Sequence, residues 1–173
     1  MKVLFAVSNE EISENIVKKY QREYKEIISY KNVYYFNAIL KELQKDKTYD
    51  RIVISEDLEN FTSNQYDQID KFIFEKLDSI SDEASNYQGD NIPIILICAD
   101  RRTKSEQMLI KLFGISIYDA LLGPDRNIDE LCKLINKPRS KKEAKIYYKI
   151  DSEDVNYKPE NENDVSEVEI QNI

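Results

Sequence analysis

Histidine and tryptophan are both absent from this sequence of 173 residues. Without histidine, the chain cannot use a histidine general base, a Ser-His or Cys-His nucleophile, or a histidine metal ligand. Its two cysteines, Cys98 and Cys132, are too few and too separated for a zinc site, and their apolar surroundings are typical of reduced core residues. The sequence therefore argues against an enzyme, and we expect no cofactor.

Long apolar runs and phosphate-binding glycine loops are also missing. The longest apolar run, residues 92–99, has the length of a buried strand and falls well short of the roughly 20 residues that a membrane span needs. The N-terminal stretch MKVLFAVSNEE has too short an apolar core for a signal peptide. No GxxxxGK[ST] motif is present, so ATPase activity is not expected. These features predict a cytoplasmic protein.

Alternating strand and helix patterns run from the start of the chain. Short apolar runs predict five strands, at residues 2–7, 26–29, 51–55, 93–99 and 115–122. Apolar residues at helical spacing predict five helices, over residues 12–24, 33–43, 63–83, 103–114 and 127–135, with Thr103 and Asn127 capping the last two. Short, right-handed connections favour an α/β fold over residues 1–136, a flavodoxin-like (βα)5 doubly wound parallel sheet with strand order 2-1-3-4-5.

The charge of −8 is concentrated at the end of the sequence. Residues 151–173 contain eight acidic residues and one lysine, and we expect them to form a disordered tail or linker. Residues 137–150 are a basic extension, whose apolar residues could dock a short helix or strand onto the domain. This extension could bind nucleic acid or an anionic membrane, but pairing with the acidic tail or simple solvation is favoured, because only Tyr147 and Tyr148 offer stacking surfaces.

The strand ends carry a recognisable pattern, because functional residues of doubly wound sheets gather at the carboxyl ends of the strands. The fourth strand, IPIILICAD, and the fifth, GISIYDALLGPD, resemble the receiver domains of bacterial response regulators, and the resemblance covers residues 1–136. A narrower resemblance is to the atypical N-terminal receiver of TadZ/CpaE-type pilus assembly proteins. The resemblance implies acids that hold Mg²⁺, a third-strand aspartate that accepts a phosphoryl group, and Ser/Thr and Lys side chains that contact the phosphate.

The residues at these receiver positions differ from those of a working receiver. By the resemblance, the degenerate phosphorylation pocket consists of Ser8, Asn9, Glu10, Ser55, Glu56, Asp57, Cys98 and Leu121. Ser55 stands where the phosphorylated aspartate would be, with Glu56 and Asp57 one and two positions later. A shift of one residue along a strand turns a side chain to the other face. Cys98, a weak donor, replaces the Ser/Thr, and Leu121 replaces the lysine.

These changes predict a non-catalytic pseudo-receiver that mediates protein–protein interaction or dimerisation in a regulatory or localisation protein. One alternative is an atypical phospho-receiver that uses Asp57 or Glu56, with Mg²⁺ held by Glu10, Glu11 and Asp57. The purely structural interpretation is that Glu10 and Glu11 stabilise a helix N-terminus and that Glu56 and Asp57 belong to a solvated turn.

A second alternative is a small-nucleotide-binding domain that uses Arg101 and Arg102 at the same crevice. Solvated loop arginines are the more ordinary interpretation of this pair.

The predicted interaction face comprises the fourth helix, the fifth strand and the fifth helix, through which receiver-like domains commonly pair. The apolar residues of this face are Ile110, Phe113, Ile117 and Tyr118. We expect the partner to be another protein or a second copy of the chain, and nucleic acid is not expected because the folded part is nearly neutral.

Overall fold

A five-stranded parallel sheet forms the centre of the molecule in the computed structural model, which describes residues 1–62 and 64–151. The strands are β1 (Lys2–Ala6), β2 (Ser29–Val33), β3 (Arg51–Ser55), β4 (Ile94–Ile97) and β5 (Asp119–Leu121). The helices are α1 (Glu10–Tyr24), α2 (Phe36–Lys45), α3 (Tyr66–Glu83), α4 (Gln107–Gly114), α5 (Ile128–Asn136) and α6 (Lys141–Tyr148). The strand order is β2-β1-β3-β4-β5, so the predicted α/β class and the flavodoxin-like order are confirmed.

The sheet has an apolar core on each face, because side chains alternate along a strand and a parallel sheet is covered on both sides. On one face, Val3, Phe5 and Val53 pack with residues of α1 and α5. On the other face, Leu4 and Ile52 pack with residues of α2, α3, α4 and α6. Burial of each such side chain contributes about 1.5–3 kcal/mol. Cys98 and Cys132 are free and buried, as predicted, and they lie in different cores.

The second strand lies further along the chain than predicted. The sequence suggested residues 26–29, but β2 pairs with β1 from Ser29 to Val33. The search for apolar runs missed β2 because β2 is an edge strand and carries polar residues with specific partners. Lys31 forms an ion pair with Glu42 at 2.8 Å, and the Asn32 side chain donates to the carbonyl of Val7 at 3.1 Å.

The second and third helices begin later than predicted. The second was predicted to begin at Val33, but Val33 closes β2 and α2 begins at Phe36. The third was predicted to begin at residue 63, which lies outside the described residues, and α3 begins at Tyr66. Strand pairing therefore took precedence over helical spacing at Val33.

The caps of α4 and α5 had different outcomes. Thr103 was predicted to cap α4, but the N-cap residue is Glu106. At this turn the Glu106 carboxylate accepts the Thr103 N–H at 2.6 Å, so the contact runs from the Thr103 backbone to the Glu106 side chain. The prediction that Asn127 caps α5 is confirmed, because its side-chain oxygen accepts the N–H of Glu130 at 2.9 Å.

The basic extension forms a helix, α6. Ser140 and Glu143 form a reciprocal capping box, in which the Glu143 N–H donates to the Ser140 hydroxyl at 3.1 Å and the Ser140 N–H donates to the Glu143 carboxylate at 2.8 Å. Ala144 and Tyr148 are fully buried in the core on the α4 side of the sheet. The prediction for the acidic tail lies, except for Asp151, outside the described residues.

Arg139, just before α6, and Tyr148, the last residue of α6, cover the open edge of β5. The Tyr148 hydroxyl donates to the Ile117 carbonyl at 2.6 Å and accepts the Ala120 N–H at 3.1 Å. The Arg139 guanidinium donates to the carbonyls of Tyr118 and Ala120 at 3.1 and 2.7 Å. An uncovered edge strand would leave such groups without partners and open to pairing with another chain. Residues of the extension therefore close the sheet on this side.

Candidate functional site

At the carboxyl ends of the strands, the sheet divides the crevice into two sides, one next to α1 and α5 and the other next to α3. Ser55 ends β3 and lies on the side of α1 and α5, where it lines a cavity with Ser8 and Leu121. Glu56, one residue later, is buried on the other side and bonds to residues of the β4–α4 loop. Alternation along the strand accounts for the separation. The structure thus brings Ser8, Ser55 and Leu121 together and separates them from Glu56.

Glu56 is held by a buried arginine, Arg102, and both side chains are 1% exposed. The Arg102 Nε lies 3.0 Å from each carboxylate oxygen, and Nη2 lies 2.5 Å from Oε2. The Ala99 N–H also donates to Oε1 at 3.0 Å. A buried carboxylate requires this kind of compensation, because an unpaired charge in the interior is costly. The carboxylate nearest the end of β3 is therefore fully engaged within the protein.

Arg102 also binds two further carboxylates. Its Nη2 donates to Asp70 of α3 at 2.6 Å, and its Nη1 donates to Glu106 at 3.0 Å. Arg101 donates to the same Asp70 at 2.6 Å and stacks on the ring of Tyr66, 4.3 Å from its centroid. The two arginines proposed for a nucleotide therefore already bind carboxylates of their own chain.

The electrostatics of this network favour the ionised forms. Partial burial by itself would raise the pKa of Asp70, but hydrogen bonds from Arg102 and Arg101 outweigh it and lower the pKa to about 2. Burial acts against the charged form of Arg102 as well, yet the hydrogen bonds with Asp70 and Glu56 raise its pKa further above the ordinary arginine value. Asp70 and Arg102 are consequently both charged at neutral pH.

Asp57 is exposed at the mouth of a second cavity, of about 320 Å³, which Glu56, Phe61 and Arg101 also line. Its backbone N–H donates to the Ser55 hydroxyl at 3.3 Å. Loss of water contact raises the pKa of Asp57, and the negative charges of Glu56 and Asp100 act in the same direction. The charges of Arg126 and Arg101 act in the opposite direction, but the net effect on this solvent-accessible carboxylate is a raised pKa.

Glu10, the first acid after β1, bonds to tyrosines in and just after β2. Glu10 accepts hydrogen bonds from the hydroxyls of Tyr30 and Tyr34, both at 3.2 Å. Asn9 caps α1, because its side-chain oxygen accepts the Glu11 N–H at 2.9 Å. Among residues 1–62 and 64–151, no group of three acidic or cysteine side chains is arranged to hold a metal ion.

Cys98 and Leu121 lie on opposite faces of the sheet, so they do not face a common ligand. Cys98 is 1% exposed and belongs to the core with Leu96, while Leu121, also 1% exposed, belongs to the core with Val53. Burial raises the pKa of the Cys98 thiol far above its ordinary value, and the charge of Glu56 acts in the same direction. Cys98 is therefore a neutral core thiol.

The predicted interaction face is largely internal in the monomer. Ile117 is fully buried, Phe113 is 5% exposed, and Ile110 and Tyr118 are half-buried. The ring of Phe113 contacts those of Tyr118 and Tyr148, with centroid distances of 5.3 and 6.5 Å. Phe113 and Ile117 are therefore buried in the monomer, where α6 packs over this region.

Several residues of the crevice escaped the sequence analysis. Asp70 and Glu106 complete the arginine network, and Arg126 lies beside the cavity of the α1–α5 side. Arg126 lies two residues after Pro124 of the Gly123-Pro124 segment that follows β5, which is the one signal that could have drawn attention to it. Asp70 had no such signal, since it lies within a long amphipathic helix.

The fold and the crevice define a five-stranded parallel α/β protein whose principal strand-end carboxylate is neutralised internally. No known protein-family model matches the chain, and a search of curated proteins finds no significant match. Within the described part of the chain, no helix combines the length and apolarity that crossing a membrane requires.

Proposed function

We propose that this chain is a non-catalytic pseudo-receiver, a module that binds a protein partner or a second copy within a regulatory or localisation protein. The observation that carries the proposal is the buried pair of Glu56 and Arg102. In the resembled receivers, the end of the third strand is where a phosphoryl group is accepted. Here a guanidinium already neutralises the carboxylate at that end of the strand.

The charges around the pair also disfavour phosphate. Arg102 is shared among Glu56, Asp70 and Glu106, so the network contains more carboxylates than this cation can neutralise. A phosphate dianion approaching Asp57 would meet Glu56 and Asp100 as well as Arg126 and Arg101, and each of these two arginines is already paired with a carboxylate of the chain. Like charges at short range raise the free energy of binding, and Arg102 could turn to a phosphate only by leaving buried carboxylates unpaired.

The binding role rests on the outer surface of α6 and on the neighbouring half-buried residues. Ile146 of α6 is 69% exposed, although it lies between residues that pack inward. Ile110 and Tyr118 of the predicted face remain half-buried. Because α6 covers β5 and packs on α4, the surface available for recognition includes Ile146 and not Phe113 or Ile117.

Incubation of the full chain with Mg²⁺ and acetyl phosphate, followed at once by intact-protein mass spectrometry, tests the proposal against the phospho-receiver alternative. We expect no phosphorylated species above that of an Asp57→Asn control. A phosphorylated species that disappears in the control would establish Asp57 as an acceptor and overturn the non-catalytic assignment.

A further inference from the structure

The cavity between α1 and α5 lies against an apolar core and is partly open to solvent, where Ile12 is 40% exposed and Asn127 is exposed. It has a volume of about 210 Å³, and its walls are formed mainly by aliphatic side chains, including Val7, Ile16, Ile97, Leu121 and Leu131. Protein interiors are close-packed, with few voids larger than a water molecule. The seven aliphatic side chains along its walls offer water no hydrogen-bond partner, and apolar surfaces of this kind accept apolar ligands.

One end of the cavity is polar, and among the described residues that line it Arg126 is the one with a charged side chain. The hydroxyl-bearing residues Ser8 and Ser55 and the side chain of Asn127 complete this end. Asn127 is already committed, since it caps α5 and donates to the Pro124 carbonyl at 2.9 Å. Arg126 is consequently the group that sets the electrostatic preference of the cavity, and it favours an anion.

Arg126 is held in place but is not saturated by the described residues. Its Nε donates to the Gly123 carbonyl at 3.1 Å and its Nη1 to the Cys98 carbonyl at 3.4 Å. Its Nη2 pairs with Asp100, a residue whose side chain is 89% exposed. A guanidinium has five N–H donors, so these three contacts leave capacity for another acceptor. An exposed counterion such as Asp100 contributes little and can be displaced.

We propose that this cavity binds a small aliphatic monocarboxylate, with its carboxylate on Arg126 and its hydrocarbon body between α1 and α5. The volume indicates the size of the ligand. An engineered cavity of about 150 Å³ accepts benzene, with its six carbon atoms, so 210 Å³ corresponds by proportion to about eight non-hydrogen atoms. Hexanoate has this size. The proposal is independent of the pseudo-receiver assignment.

Methyl-detected ¹³C NMR of the full chain, titrated with hexanoate, tests the site. We expect saturable shifts of the methyl groups of Ile16, Ile97, Leu121 and Leu131, with no comparable shift of the Ile73 methyl groups, which lie in the opposite core. Hexanamide supplies the same hydrocarbon body without the charge, and acetate supplies the charge without the body. We expect each to bind at least tenfold more weakly than hexanoate.

Three variants test the role of Arg126. Arg126→Met should weaken hexanoate binding at least tenfold, whereas Arg22→Met, at an exposed position of α1, should leave it unchanged. Asp100→Asn removes the competing counterion and should strengthen binding severalfold. Since Asp100 is exposed, this variant remains informative even if Arg126→Met does not fold.

Each contrary outcome overturns a defined part of the proposal. No methyl shift at tens of millimolar hexanoate would exclude the site. Equal binding of acetate would exclude the role of the apolar walls, and equal binding of hexanamide would exclude the role of Arg126.

Discussion

Arg102 and Glu56 form a two-pronged ion pair in which both side chains are 1% exposed, with Nη2 and Oε2 2.5 Å apart. The pair joins the end of β3 to the loop after β4, at the carboxyl end of the sheet. Buried ion pairs contribute little net stability compared with apolar substitutes, but removal of one partner leaves an uncompensated charge. The pair is therefore a structural connection between β3 and the β4–α4 loop, and the loss of unfolding free energy when it is broken can be measured.

Arg102→Met should destabilise the protein by about 3–5 kcal/mol, because Glu56 would remain buried without its cation. Arg101→Met is a matched control, since Arg101 pairs with Asp70 but is 29% exposed and should cost at most about 1 kcal/mol. Urea unfolding of the two variants measures the difference. Equal losses of unfolding free energy in the two variants would show that the buried pair contributes no more than an exposed one.

Tyr148→Phe should leave hydrogen-bonding groups at the edge of β5 without a partner, and it should do so without creating a large cavity. It removes the hydroxyl that bonds to the Ile117 carbonyl and the Ala120 N–H, and unpaired buried groups cost about 1–3 kcal/mol. Hydrogen exchange should accelerate at the Ala120 amide. Tyr147→Phe removes the hydroxyl that accepts the Leu122 N–H, so it should instead accelerate exchange at Leu122. Unchanged exchange at Ala120 in the Tyr148 variant would contradict this account.

Asp119 should make the folded state less stable as pH rises. Burial raises its pKa to about 6 from the ordinary 3.8, although the hydrogen bond from the Arg139 N–H, at 2.7 Å, opposes the shift. Because the folded-state pKa is the higher one, the favourable contribution is complete below pH 3.8 and is lost as pH rises through about 6. The difference between these pKa values corresponds to on the order of 3 kcal/mol.

Asp119→Asn removes this titration while keeping a side-chain acceptor for the Arg139 N–H. Urea unfolding of both proteins between about pH 4 and pH 8 should show that the wild type loses more stability than the variant over that range. Parallel stability curves would mean that Asp119 titrates normally in the folded state.

Ile146→Lys should weaken association if a second copy is the partner, because a charge at the exposed apolar position of α6 disfavours desolvation. Ile27→Lys is the matched control, since Ile27 is 70% exposed and Ile146 is 69% exposed. Sedimentation equilibrium over a concentration series measures both. A monomer at all concentrations, or an equal effect of Ile27→Lys, would exclude self-association through α6.

The order of elements could be predicted from the sequence because four strands are apolar runs and the helices are amphipathic. The second strand could not be located in this way, since an edge strand tolerates Lys31 and Asn32 and the neighbouring Ile27 is exposed. The pattern of apolar residues along the sequence indicates which side chains are buried, but the position of an edge strand depends on its pairing with the neighbouring strand.

The crevice was less predictable than the fold. Alternation along β3 correctly implied that Glu56 and Ser55 face different ways, and the structure shows them on opposite sides. The network around Glu56 could not be foreseen, because Arg102 and the second carboxylate that Arg102 binds, Asp70, lie 46 and 14 residues away along the chain. Contacts at such separations arise from the packing of α3 and the β4–α4 loop, which no local pattern encodes.

A ¹H–¹⁵N NMR titration of the full chain with Mg²⁺, and then with Mg²⁺ and beryllofluoride as a phosphoryl mimic, tests the central claim most directly. The account predicts that the amides of Glu56, Asp57, Cys98 and Ala99 keep their chemical shifts, because Arg102 and the Ala99 N–H already satisfy the Glu56 carboxylate. Saturable shifts of these amides together would contradict it and would show that the crevice responds as a phospho-receiver.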